Sequence, residues 1–112
     1  MGLEYERELL STAGIEFQRV GALTLVSVDD AISFVGFCAE NEIGLFGFDT
    51  FRVENGVVQP ILKWCPDFSR FENIGPDFDA DSRRIALVLL DEIKEEDQGD
   101  LFVEFVVAKL YR

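Results

Sequence analysis

Carboxylates dominate the chemistry open to this sequence. Twenty-two Asp and Glu stand against ten Lys and Arg in 112 residues, a formal net charge of −12, and there is no histidine. Without histidine the usual general base is missing, along with the usual zinc-site partner and every Ser-His-Asp or Cys-His arrangement. Cys38 and Cys65 stand alone and make no metal-binding spacing. No Walker loop occurs, and no GxGxxG follows a strand. Paired carboxylates can act as acid and base, but so many of them single out no pair. Asp77-Phe78-Asp79-Ala80-Asp81 begins like a calcium loop. Such a loop needs Gly at its sixth position and Glu at its twelfth, where this chain has Ser82 and Val88. The simpler reading is a solvated acidic turn leading into a helix; a loose calcium site at Asp77, Asp79 and Asp81 is the alternative. The sequence therefore predicts no catalytic residue, no cofactor and no metal ligand.

The same charge points to binding. A strongly acidic surface stays soluble and steers basic partners toward it at some cost in self-repulsion. Direct contact with a nucleic-acid backbone needs clustered Lys and Arg, so a basic protein is the expected partner. Residues 65 to 82 read as the longest irregular connection, and long loops in small domains are often functional. Here Asp67, Glu72, Asp77, Asp79 and Asp81 interleave with Phe68, Phe71 and Phe78. Aromatic anchors supply interface energy while charge sets the encounter rate. These eight residues form the predicted partner-binding set. The opposing reading is that the Phe rings pin the segment to the core.

Elements must position this loop. Hydrophobic residues make up 48% of the chain and eleven are Phe, which excludes a disordered acidic tail and predicts one domain over residues 1–112. Leu3 to Leu10 predicts a short helix with Glu4, Glu6, Arg7 and Glu8 in water. Residues 15 to 26 match no single template. Ser27 before Asp29 and Asp30 reads as a helix cap, and Ala31, Ile32, Phe34, Val35, Cys38 and Ala39 follow at helical spacing, with Asn41 and Gly44 as stops. Residues 45 to 53 alternate, placing Phe46, Phe48, Thr50 and Arg52 on one side, with Leu45, Gly47, Asp49, Phe51 and Val53 on the other. Asn55-Gly56 supplies a hairpin turn, and 57 to 64 return with Pro60 marking an edge or bulge. Asp81 or Ser82 caps a helix over 83 to 97, Gly99 stops it, and 101 to 111 form the last strand. The fold class is α+β: a small, mostly antiparallel sheet with a hairpin at 45–64, packed against two or three helices. MGLEYERELL is charged and lacks an apolar signal core, no run is long enough to span a bilayer, and two cysteines suit a reduced cytoplasm. Cys38 reads as a core residue and Cys65 as partly exposed.

Ala22-Leu23-Thr24, Asp30-Ala31-Ile32, Ile43-Gly44-Leu45-Phe46-Gly47-Phe48-Asp49 and Phe51 to Gly56, closed by Trp64, are similar to the motifs of small bacterial immunity proteins of polymorphic-toxin systems. That family has an "eAl" helix and a "gIpilGgDv" strand. Gly44 replaces its usual Pro and Phe48 its second Gly. The similarity covers residues 22 to 64. It implies a cytoplasmic, non-catalytic inhibitor that binds a cognate toxin domain and neutralises it, without identifying the toxin's activity; the acidity of the chain adds the expectation of a basic domain, such as a nuclease, blocked at its active surface. It carries over no catalytic residue. An Asp at position 49 belongs to the pattern, and a carboxylate inside a strand predicts a structural hydrogen-bonding role there. An acidic adaptor or assembly protein unrelated to toxins is the second reading, and a carboxylate-dependent enzyme the third.

Overall fold

A computed structural model describes residues 2–68 and 76–107. Three helices and five strands follow in the order α1 (Gly2–Thr12), β1 (Gln18–Val20), β2 (Leu23–Ser27), α2 (Val28–Glu40), β3 (Leu45–Glu54), β4 (Val57–Pro60), α3 (Pro76–Glu96) and β5 (Leu101–Val107), with a 3-10 turn at Leu62–Trp64. All strand pairings are antiparallel, in the spatial order β1-β2-β5-β3-β4. The fold class is thus α+β, as the sequence predicts.

Local chemistry accounts for most of the boundaries. Ser27 Oγ accepts a hydrogen bond from the Asp30 N–H at 3.3 Å and caps α2, whose first turn carries Asp29 and Asp30 at the favourable end of its dipole. At the other end Glu42 takes a left-handed φ of 55°, and the Ile43 N–H donates to Cys38 O at 2.8 Å. That is a Schellman-type closure on a residue other than glycine. Asn55 (φ 52°) and Gly56 (φ 77°) form the two-residue turn between β3 and β4, as the dipeptide predicts. Pro60 lies on β4, an outer strand of the sheet, where a missing N–H costs no ladder bond.

Four elements depart from the sequence reading. The return strand expected over 57 to 64 ends at Pro60, and Leu62–Trp64 turn as a 3-10 helix that brings Trp64 into the core. Residues 18 to 27 form a hairpin about Gly21, which has φ 60°; three-residue β1 is too short for an alternation signal. Helix α3 starts at Pro76, well before position 83, because proline is tolerated in a first helical turn and Asp77 and Asp79 suit that end of the dipole. Ser82 is therefore not a cap but a buried residue within the helix: its Oγ donates to Asp79 O and accepts from the Leu45 N–H, both at 3.0 Å, tying α3 to the start of β3. A bulge between Leu45 and Gly47 shifts the register against β5, so Leu45 joins Phe48 and Thr50 on the buried side. The predicted strand over 101 to 111 is seen as Leu101–Val107; residues 108 to 112 lie outside the described ones.

The core lies between one sheet face and the helices. Leu101, Val103, Phe105 and Val107 on β5 pack with Phe34, Val35 and Cys38 of α2 and with Ala86, Leu90 and Ile93 of α3. Phe105 centres an aromatic cluster, 5.0 Å from Phe34 and 5.8 Å from Phe48 between ring centroids. Cys38 is buried there, and burial raises its thiol to about 12, so it stays a neutral core side chain. Among the described residues no helix is long and apolar enough to cross a membrane.

Candidate functional site

The alternate residues of β5 (Phe102, Glu104 and Val106) point to the face opposite the core and are all at least partly exposed. Their partners on β3 are Phe51, Asp49 and Gly47. Three rungs result: an aromatic pair, a pair of carboxylates and an aliphatic residue opposite a glycine. Rungs on one face are spaced about 7 Å along the strands. Beside them the chain returns from the 3-10 turn. The Phe48 N–H donates to Pro66 O at 3.3 Å and the Phe68 N–H to Phe46 O at 2.7 Å, so residues 66–68 lie along β3. Gly47 permits this approach, since a Cβ there would collide with Pro66 O. The outcome is a shallow cleft of about 340 Å³, with Gly47 and Asp49 on one side, Cys65, Pro66 and Asp67 on the other, and Val106 at its end.

Asp49 and Glu104 stand directly opposite each other on this face. Like charges so placed destabilise a sheet. Among the described residues no Lys or Arg forms an ion pair with either one. Glu104 Oε2 accepts from the Thr24 N–H at 2.7 Å. Partial burial raises its pKa and Asp49 adds to the rise, against the lowering effects of that hydrogen bond and of Arg7. Asp49 lies within hydrogen-bonding reach of the Cys65 thiol, which also lies 3.4 Å from Ile61 O. Burial raises the Cys65 pKa, with a smaller contribution from Asp49. The structural hydrogen-bonding role that the sequence predicts for Asp49 therefore points to this thiol.

Glu104 also belongs to a second feature, hidden in the sheet. Pairing of β2 with β5 covers only Val26↔Val103 and Ser27↔Phe102. Beyond these rungs carboxylates replace the ladder: Glu104 holds the Thr24 N–H, and Glu6 Oε1 on α1 accepts from the Phe105 N–H at 2.8 Å. Glu6 is 1% exposed, not in water as its sequence neighbours suggest. Burial drives its pKa up to about 8, outweighing the Phe105 N–H; Glu104 pushes the same way and Arg7 opposes it. The Arg7 guanidinium is itself held by Thr24 Oγ1 at 3.0 Å. Two carboxyl groups with raised pKa could serve as acid and base, but Glu6 is sealed from solvent and lines neither the cleft above nor a smaller one of about 190 Å³ between Phe17 and Phe102. Its observable work is to satisfy a strand amide that β2 leaves behind.

The predicted partner-binding residues divide. Phe68 and Phe78 are 5% and 4% exposed and belong to the core, with Phe78 5.9 Å from the Phe46 ring. They pin their segments and present no ring to a partner. Asp79 is buried against Gly44, whose missing Cβ makes room for its carboxylate; this explains glycine at that position. Asp67, Asp77 and Asp81 are exposed, and only Asp67 reaches the cleft. Phe71 and Glu72 lie outside the described residues. Asp77 and Asp81 share the outer face of α3, while Asp79, about 200° from each around the helix axis, faces inward, so the three do not converge on one ion. Among the described residues no group of three His, Cys, Asp or Glu is placed to hold a metal. Sequence reasoning missed Glu6 and Glu104. The one signal for Glu104 is its place as the single charge in LFVEFVV. Comparison with protein-family models, curated proteins and solved structures finds no match for this chain.

Proposed function

We infer that this chain is a non-catalytic immunity protein, which binds the basic catalytic domain of a bacterial toxin in the cytoplasm and blocks its active surface. The observation that carries the reading is the position of the motif Ile43 to Asp49. This stretch, similar to the immunity-protein pattern, runs from two residues before β3 into the strand and sets its Asp49 on the sheet face away from the core, opposite Glu104. A binding role suits a face that keeps apolar residues beside carboxylates without an ion-pair partner among the described residues, since apolar burial supplies affinity and complementary charge supplies speed and selectivity. The net charge of −12 adds long-range attraction for a cationic domain. The absence of histidine and the enclosure of Glu6 favour binding over catalysis.

The test is co-expression with the toxin domain encoded beside this chain's gene. The expected result is restored growth of the host and co-purification of the two chains in a fixed ratio. Continued toxicity with the folded protein present in excess would refute the reading.

A further inference from the structure

We propose that the sheet face away from the core is the docking surface, and that the Asp49–Glu104 rung receives an arginine side chain projecting from a basic protein partner. The proposal rests on the immunity reading for the partner's identity, but on the face itself for its chemistry.

One face of the sheet packs against the helices, whose Leu10, Phe34 and Leu90 share its core, and the opposite face carries the alternate residues of β3 and β5. On that opposite face Val106 is 50% exposed, and Phe102, Val53 and Val58 are partly exposed. The two carboxylates sit at the middle of the β3–β5 ladder and repel each other in the free chain. A cation placed between them removes that repulsion, so part of the binding energy is already stored as ground-state cost. Guanidinium fits better than ammonium. Its planar fork can bond two carboxylates at once, and it stacks on aromatic rings, of which the partly exposed Phe102 is one rung away. Val106, half exposed on the next rung, offers apolar surface to the alkyl stem, and the exposed Asp67 at the cleft rim extends the negative field toward an approaching chain.

Two measurements test this. In the first, the isotope-labelled protein is titrated at low ionic strength with acetyl-Gly-Arg-Gly-amide and with its lysine twin. Amide shifts are expected at residues 47–49, 65–67 and 102–106, larger for the arginine peptide, and at least tenfold smaller in D49N. Shifts of equal size for both peptides, spread over the exposed acids of α3, would overturn the proposal. In the second, the neighbouring toxin domain is captured by the wild type, by D49N, by D49N/E104Q and by a D91N/E95Q control on α3. Both site variants keep their oxygen acceptors, so the Thr24 N–H stays bonded, and Trp64 fluorescence melts verify folding. The expected loss is 10- to 100-fold for D49N/E104Q, mostly in dissociation, against less than twofold for the control. Equal binding by wild type and D49N/E104Q would overturn the docking site while leaving the immunity reading intact. Failure of the wild type to bind the toxin would remove that reading, and the peptide titration would then decide the site alone.

Discussion

Replacing Glu6 by Gln should make the protein more stable at neutral pH, an unusual outcome for a buried hydrogen-bonded carboxylate. The folded state holds Glu6 with a pKa of about 8, against an ordinary value of 4.5, chiefly because burial disfavours its charge. A raised folded pKa means that the native state binds the proton more tightly than the unfolded chain. The stabilisation is therefore complete below pH 4.5 and is lost as pH climbs to about 8. Each pH unit in that window costs about 1.4 kcal/mol, so the loss reaches roughly 3 kcal/mol by pH 7 and roughly 5 kcal/mol above pH 8. Glutamine keeps an oxygen for the Phe105 N–H and never ionises, which also frees Glu104 from a charged neighbour at high pH. The other groups that feel Glu6, namely Arg7, Glu104 and Cys38, are common to both proteins. Urea unfolding followed by Trp64, the single tryptophan and a buried one, gives stability at each pH. The expected gain for E6Q is about 2–3 kcal/mol at pH 7, growing to pH 8 and vanishing near pH 4.5. E6A serves as the contrast: it leaves the Phe105 N–H without its carboxyl acceptor and should be less stable at low pH by about 2 kcal/mol or more. Parallel pH profiles for wild type and E6Q, or an E6Q protein weaker than wild type at pH 8, would refute the argument.

Glu42→Gly should stabilise the chain by about 0.5–1 kcal/mol, since Glu42 holds the left-handed position that closes α2 and only glycine occupies it without steric cost; a thermal melt reads this. Gly44→Ala should destabilise by about 1–3 kcal/mol, because the new methyl meets the buried Asp79 carboxylate; a gain in urea midpoint would contradict that contact. Phe78→Ala should cost about 3 kcal/mol or more in the free protein while leaving the rate of partner capture unchanged, because the ring is in the core; stopped-flow association beside a melt separates the two effects.

The residues differ in how much of their role was legible in advance. Ser27 could be read as a cap because the hydroxyl and the amide it holds are three residues apart. Asn55-Gly56 could be read as a turn because positive φ is a property of those two residues alone. Ser82 was equally plausible as a cap, yet its hydroxyl holds Leu45, a partner 37 positions away that no local pattern announces. The acidic and aromatic residues near 67 to 81 interleave in sequence in the pattern of a binding loop. Once Pro76 starts a helix, the spacing of 3.6 residues per turn sends Phe78 and Asp79 inward and Asp77 and Asp81 outward.

What the sequence determined by itself is everything that depends on composition or on neighbours within about one helical turn: the acidity, the want of a histidine base, the capped helix α2, the β3–β4 hairpin and hence the α+β class. The tertiary structure alone decided the site. A bulge at Leu45 to Gly47 fixes which side of β3 faces the helices, and with it that Asp49 stands across from Glu104, 55 positions away. The divergence of β2 from β5 leaves an amide that Glu6 must satisfy across 99 positions. Both follow from register, and a strand's register is set by the packing of its whole buried face, which no single segment of the chain contains.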